Sequence, residues 1–217
     1  FVMIYVLGAG EAPFSISSPP SRPGLLEFCI RKTGTVTNAL FRLKENDLIG
    51  LRGPYGNCFP IERMKDQDIL IVVGGLGVAP LRSVLLYCLD NRDQFRGGSV
   101  LHGAKRPAEM IFREEFLALK EREDLECHLT VDGDDTGTWT ENIGVVTSLF
   151  PLLQEIDPPR IYALVCGPSV MYKFVLKELI KLNIPKDQIL MTLERRMNCG
   201  VGKCSHCALD YIYTCLD

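Results

Sequence analysis

Hydrophobic and polar positions follow two rhythms along this chain. Up to about residue 63 the apolar positions come in short runs, 1–6, 13–18, 25–31 and 47–53, each closed by turn residues such as Gly8-Ala9-Gly10, Pro19-Pro20, Pro23-Gly24 and Gly53-Pro54. Short runs punctuated by Gly and Pro predict strands. Residues 1–63 are therefore expected to form an all-β piece, part of a Greek-key barrel. One interruption, Val36 to Arg42, has the spacing of one or two amphipathic helical turns.

From residue 64 the rhythm becomes strand, turn, helix. Ile69 to Val73 reads as a buried strand and is followed by Gly74-Gly75-Leu76-Gly77-Val78-Ala79-Pro80 and an amphipathic helix to about Leu89. The alternation continues with strands at Ser99–Ala104, Glu126–Val131, Ile161–Cys166 and Ile189–Leu193, and helices at 112–122, 145–153 and 169–182. Ser169 is the expected N-cap of the last helix, with Asn183 and Pro185 ending it. This pattern predicts a five-stranded parallel doubly wound sheet over residues 64–195, followed by a separate segment at 196–217.

Composition narrows the function. The 217 residues are 47% hydrophobic and 24% charged with a net charge of −3, an ordinary globular balance without the basic bias of a nucleic-acid binder. The apolar runs are too short to span a bilayer and no signal peptide is legible, so a cytoplasmic protein without a membrane span is expected. The chain opens in a strand-like run without an initiator Met and reads as a fragment.

The nine cysteines are too unevenly placed for a secreted disulfide framework. Cys29, Cys88 and Cys127 sit in apolar or amphipathic runs and read as core residues, while Cys58 has no assignment. Cys199, Cys204, Cys207 and Cys215 follow the C-x4-C-x2-C pattern with a more distant fourth thiol, the spacing of a plant-type 2Fe-2S cluster. A four-cysteine zinc site is the rival, although zinc ribbons usually carry two separated C-x2-C knuckles. His206 is placed to donate toward a cluster sulfur or simply to face solvent.

Ligands of open parallel sheets bind beyond the carboxyl ends of the strands. Gly74 to Pro80, Gly103 and Cys166-Gly167-Pro168 fall there, and the glycine loop has the layout of a phosphate cradle opening a helix. Lys105 and Arg106 are either surface charges or partners of a cofactor 2′-phosphate. The run Asp132-Gly133-Asp134-Asp135 lacks calcium-loop spacing and reads as a solvated turn. Gly34, Thr35 and Thr37 either offer donors to a phosphate or close a barrel turn.

Together these stretches resemble the ferredoxin-NADP reductase superfamily over almost the whole chain. Within it the likeness is to flavin and iron–sulfur electron-transfer subunits of the sulfhydrogenase gamma, anaerobic sulfite reductase B and type B dihydroorotate dehydrogenase kinds. The resemblance implies FAD along Pro13, Phe14, Ser15, Ile16, Ile30 and Arg31, with Gly34, Val36 and Thr37 at its pyrophosphate. Ala12 stands where the family's flavin motif carries Arg, and Arg31 is the implied substitute. It implies NAD(P)H on Gly75, Leu76, Gly77, Val78, Ala79 and Pro80, with Cys166, Gly167 and Pro168 beside the nicotinamide and Cys166 as the catalytic residue. The terminal cysteines would hold the cluster, and a catalytic subunit of hydrogenase, sulfite reductase or dihydroorotate dehydrogenase type would be the partner. Two rivals are a zinc-stabilised regulatory or assembly module on the same fold and a stand-alone reductase of a soluble acceptor.

Overall fold

The computed structural model describes residues 1–154 and 156–216. These divide into two compact units, Phe1–Phe59 together with the segment from Leu193 onward, and Pro60–Thr192.

The first unit is built on a three-stranded antiparallel sheet of order β2-β1-β3, with β1 at Val2–Val6, β2 at Gly10–Phe14 and β3 at Gly50–Arg52. Val2, Met3, Ile4 and Val6 of β1 are buried, as befits the central strand. Pro13, which has no N–H for a ladder, sits in β2 at the sheet edge, where that loss is tolerated. A closed barrel is not present among the described residues. Of the expected strand at 13–18 only Pro13 and Phe14 lie in β2, and its pairing with the expected strand at 25–31 is one bridge, Ile16 to Phe28, extended by a 2.8 Å bond from Ser17 N–H to the Glu27 carbonyl. The prolines at 19, 20 and 23 explain the shortfall, since each removes a donor and fixes φ. The amphipathic interruption is a short helix, α1, at Thr35–Leu40.

The second unit opens with a one-turn helix, α2, at Ile61–Met64, and carries six parallel strands in the order β7-β6-β5-β4-β8-β9. They are β4 at Asp68–Gly74, β5 at Gly97–Ala104, β6 at Glu126–Val131, β7 at Asn142–Ile143, β8 at Ile161–Cys166 and β9 at Ile189–Met191. The sixth strand is the two-residue β7, too short and too polar to show in hydrophobic periodicity. Helices α3 (Val78–Asp90) and α4 (Arg113–Leu119) cover one face, α3 against Ile69, Ile71 and Val100, and α4 through Phe116 stacked on His102. On the other face α5 (Ser169–Lys181) presents Met171, Val175 and Leu179, four residues apart, to Leu70, Val72, Leu101, Ala163 and Val165. Val175 and Leu179 are fully buried, each contributing roughly 2 kcal/mol of apolar burial.

Two local expectations are corrected. Residues Val146–Leu152 form 3-10 turns instead of an α-helix, because Pro151 within them lacks a donor and crowds the preceding turn. Ser169 is the first residue of α5 and not its cap; the cap is Pro168, which makes no side-chain bond. Asn183 ends the helix as expected, with φ of 59°. Among the described residues no helix is long and apolar enough to cross a membrane.

Candidate functional site

In the second unit β4 ends at Gly74, the chain makes a 3-10 turn over Gly75–Gly77, and α3 begins at Val78. No side chain caps α3, which continues directly from the 3-10 turn: the Val78 N–H donates to the Gly75 carbonyl and Pro80 brings no N–H, so the open backbone at this corner is that of the turn itself. A Cβ on Gly77 would lie 2.4 Å from the Cys166 carbonyl oxygen and 2.6 Å from the Gly167 nitrogen. Glycine is therefore required here by backbone contact, and that contact joins two motifs almost ninety residues apart in sequence. Gly75, Leu76 and Pro80 form the half-exposed rim of the loop, whereas Gly77, Val78 and Ala79 are turned into the packing. Cys166 is buried at the end of β8, Gly167 is half-buried and Pro168 is exposed. Two cavities in this unit lie elsewhere, one between α3 and the sheet and one under the amino ends of β4, β5 and β6. The glycine loop and the Cys166 loop lie against each other at the carboxyl ends of β4 and β8.

Neighbouring polar groups are engaged locally. Asp134 accepts bonds from the Thr136 hydroxyl (2.6 Å), the Thr136 N–H (2.8 Å) and the Trp139 N–H (2.8 Å), which hold its carboxyl down near a pKa of about 2. The acidic run is thus a hydrogen-bonded turn, as its spacing suggested. Arg106 pairs with Asp135 at 3.1 Å.

In the first unit Phe14 ends β2, and Ser15 and Ile16 follow it into the bridge with Phe28. Continued in that register, Phe14 falls opposite Ile30; both are half-buried, while Arg31 is exposed. The turn before α1 is more self-contained than its sequence suggests. Thr37 Oγ1 accepts from the Thr33 N–H (2.9 Å) and the Gly34 N–H (2.8 Å), and its hydroxyl donates to the Gly34 carbonyl. Those two N–H groups are spent inside the loop.

The four terminal cysteines fall into two pairs. Cys207 Sγ lies 3.3 Å from Cys215 Sγ, both buried, and the half-exposed Cys199 is within hydrogen-bonding reach of the Cys204 thiol. Backbone donors aim at these sulfurs: Val201 N–H and Lys203 N–H at Cys199, each 3.4 Å, and Gly202 N–H at Cys215, 3.3 Å. The N–H groups of Val201, Lys203 and Cys204 pull the Cys199 thiol down to about 6. Among the described residues no three His, Cys, Asp or Glu side chains converge as a single metal ion would need. Two pairs, each supplied with N–H donors, suit two metal atoms better than one tetrahedral ion. His206 Nδ1 lies 3.0 Å from the Cys204 carbonyl and is exposed.

Comparison with known proteins agrees with this layout. Residues 71–177 match the oxidoreductase NAD-binding domain family. The whole chain aligns with 80% of sulfhydrogenase 2 subunit gamma of Pyrococcus furiosus at 41% identity. The chain belongs to the family of the sulfhydrogenase gamma and dihydroorotate dehydrogenase B electron transfer subunits. It also aligns, at 30% identity, with 81% of a probable dihydroorotate dehydrogenase B electron transfer subunit of Thermococcus kodakarensis. Among solved structures, an NADH-dependent reduced ferredoxin-NADP oxidoreductase shares the fold with a TM-score of 0.79 and 24% identity, over all of this chain and 74% of that one. The protein is accordingly an oxidoreductase subunit of NAD(P)H-linked electron transfer.

Within this electron-transfer subunit, two residues escaped sequence reasoning. Arg52 at the end of β3 bonds the Glu11 carboxylate (2.7 Å), the Asn198 carbonyl (2.9 Å), the Cys199 carbonyl (3.2 Å) and the Tyr55 hydroxyl (2.9 Å). Tyr55 in turn lies against Gly200, where a Cβ would meet its ring at 2.6 Å and φ is 74°, so that position demands glycine twice over. Neither Arg52 nor Tyr55 lies in a recognisable motif.

Proposed function

We propose that this chain moves electrons between NAD(P)H, an FAD and a 2Fe-2S cluster, and on to or from a catalytic partner subunit. The observation that carries the reading is the arrangement of the terminal cysteines as two sulfur pairs, Cys199 with Cys204 and Cys207 with Cys215, under backbone N–H donors. Residues 196–217 are the proposed cluster segment, residues 1–63 the flavin part and 64–195 the nucleotide part.

When bound, the flavin and cluster would supply the conversion of a two-electron donor into single electrons. The protein's own residues bind and orient. The rim of Gly75, Leu76 and Pro80, where the 3-10 turn leads into α3, is assigned to the nucleotide pyrophosphate. Cys166-Gly167-Pro168, held against Gly77, is assigned to the nicotinamide side, with the Cys166 thiol the group that would touch the ring. Phe14, Ser15, Ile16 and Ile30 are assigned to the isoalloxazine, and Gly34, Val36 and Thr37 with Arg31 to the flavin phosphates, the charge coming from Arg31 because the Gly34 N–H and the Thr37 hydroxyl are already engaged within the loop. The half-buried Phe14 and Ile30, each two residues beyond the Ile16–Phe28 bridge, offer apolar surface to a planar ring. The partner is expected because the relatives are named as subunits, of a sulfhydrogenase and of a dihydroorotate dehydrogenase.

The test is the absorption spectrum and metal content of the purified protein. Flavin bands with two irons and two acid-labile sulfides per chain are expected. A colourless protein holding one zinc overturns the reading in favour of a structural module.

A further inference from the structure

A guanidinium carries five N–H donors in a rigid fork, and Arg52 at the end of β3 commits all of them. Nε and one terminal nitrogen grip the Glu11 carboxylate at 3.2 and 2.7 Å. The remaining N–H groups go to the Tyr55 hydroxyl (2.9 Å), the Cys199 carbonyl (3.2 Å) and the Asn198 carbonyl (2.9 Å). Anchoring the cysteine loop needs only the carbonyl contacts. Glu11 stands on β2, across the central strand β1 from Arg52, and the two donors it takes neutralise the cation. The carboxylate is therefore the part that needs an explanation. Cys199 Sγ lies one residue's covalent reach from its own carbonyl oxygen, which puts the guanidinium within about 8 Å of that sulfur and the carboxylate within about 12 Å. Both side chains are pinned by these bonds and are 40% and 38% exposed, so water weakens their fields at the sulfurs without abolishing them. The potential of an iron–sulfur cluster responds to the net charge around it.

We propose that the Glu11–Arg52 pair sets the potential of the cluster held by Cys199, Cys204, Cys207 and Cys215, the guanidinium favouring the reduced, more negative cluster and the carboxylate offsetting it. The proposal rests on the reading above that these cysteines bind a 2Fe-2S cluster. It gives Glu11 a task that anchoring of the loop leaves unexplained, and it makes β2, the strand that ends in Phe14, part of the tuning of the one-electron centre.

The test uses the full chain with its cofactors and reads the cluster's midpoint potential by EPR during titration with dithionite, at about 0.01 M ionic strength, where charges act over about 30 Å. Glu11→Gln keeps the side chain's shape and leaves the cation unopposed. The ratio of reduced to oxidised cluster at a fixed ambient potential should rise about twofold, a shift of about +18 mV. Arg52→Gln leaves the carboxylate unopposed and should lower that ratio about threefold, a shift of about −28 mV. Arg52→Lys keeps the charge without the fork and should stay within about 1.5-fold of wild type. At about 1 M salt all these shifts should close. A loosened loop would move both glutamine variants in one direction and be indifferent to salt. Shifts of the same sign, unchanged potentials in both, or an Arg52→Lys potential as low as that of Arg52→Gln would overturn the proposal. Should Arg52→Gln lose its cluster, Glu11→Gln decides alone, since Arg52 keeps its carbonyl contacts there: an upward, salt-sensitive shift supports the pair's role and any other result overturns it. Failure of the underlying reading looks different: reduced wild type would show no EPR signal of a 2Fe-2S cluster, and the proposal would fall with the reading.

Discussion

Replacing His102 by Leu should flatten the acid dependence of stability in the nucleotide unit. His102 is wholly buried in β5, stacks edge-on against Phe116 at a centroid distance of 4.6 Å, and neither ring nitrogen has a hydrogen-bond partner. Burial lowers its pKa from 6.5 to about 4. The folded chain thus refuses a proton that the unfolded chain accepts between these values. The stability of the neutral state is full above pH 6.5 and is lost as pH falls toward 4. At about 1.36 kcal/mol per pH unit, the loss is about 2 kcal/mol at pH 5 and about 3 kcal/mol once pH falls below 4. The assay is urea unfolding at pH 7.5 and pH 5.0, followed by the emission of Trp139, the chain's one tryptophan, which lies in the same unit. Other titrating groups are common to both proteins and cancel in the difference. The variant should gain about 2 kcal/mol on wild type between the two pH values. A difference independent of pH, or an imidazole proton resonance titrating near 6.5, would refute the assignment.

Other consequences are equally open to measurement. Gly77→Ala should cost roughly 2–4 kcal/mol of unfolding free energy and weaken NAD(P)H binding, because the methyl group must push into the backbone at Cys166 and Gly167; wild-type values for both in urea melts and nucleotide titration would show that the two loops do not pack this tightly. Cys204→Ser should bleach the cluster bands while leaving flavin reduction by NAD(P)H within about twofold; loss of flavin reduction in a folded variant would contradict the proposed order of transfer. Arg52→Gln should loosen the terminal segment by about 1 kcal/mol, a modest figure because the guanidinium is 40% exposed, and should raise the rate of iron loss to a chelator. An unchanged rate would remove Arg52 as an anchor.

The nucleotide half was legible because its signals are local. Ile69 to Val73 is a continuous apolar run, the glycine turn follows at once, and the spacing of Met171, Val175 and Leu179 marks a buried helical stripe. The parallel order of β4, β5, β6 and β8 then follows from the helical crossovers. Failures came where one residue overrides a pattern. Pro151 turns an amphipathic helix into 3-10 turns, and the prolines between residues 19 and 23 reduce the pairing of two predicted strands to a bridge. Strand β7 was invisible because Asn142 is held by polar contacts, its carbonyl taken by Thr130 Oγ1 and Trp139 Nε1. The glycine loop was read as a phosphate cradle, yet Gly77 itself owes its identity to the Cys166 backbone. That distinction needs three dimensions, since a sequence shows that a position is glycine and not which atom crowds it.

The terminal cysteines show the same limit from the other side. Their spacing suggested a cluster but could not say what holds the loop, and by position in the chain the segment belongs after the nucleotide sheet. The structure groups it instead with Phe1–Phe59. The cause lies in Arg52 and Tyr55: one guanidinium neutralised by Glu11 takes the carbonyls of Asn198 and Cys199, and one ring fills the space that Gly200 leaves open. Both anchors act on the first residues of the loop, upstream of every N–H that points at sulfur. They fix the direction of the chain at Cys199, which lets Val201, Gly202 and Lys203 turn their N–H groups inward. Order in the sulfur site therefore begins at β3. It follows that the nucleotide unit, which shares none of these contacts, should keep its urea midpoint when the proposed cluster is stripped, while the exchange of amide protons at Val201 to Lys203 accelerates. A fall in the Trp139-detected midpoint on chelation would show that the two units do not keep their stabilities apart.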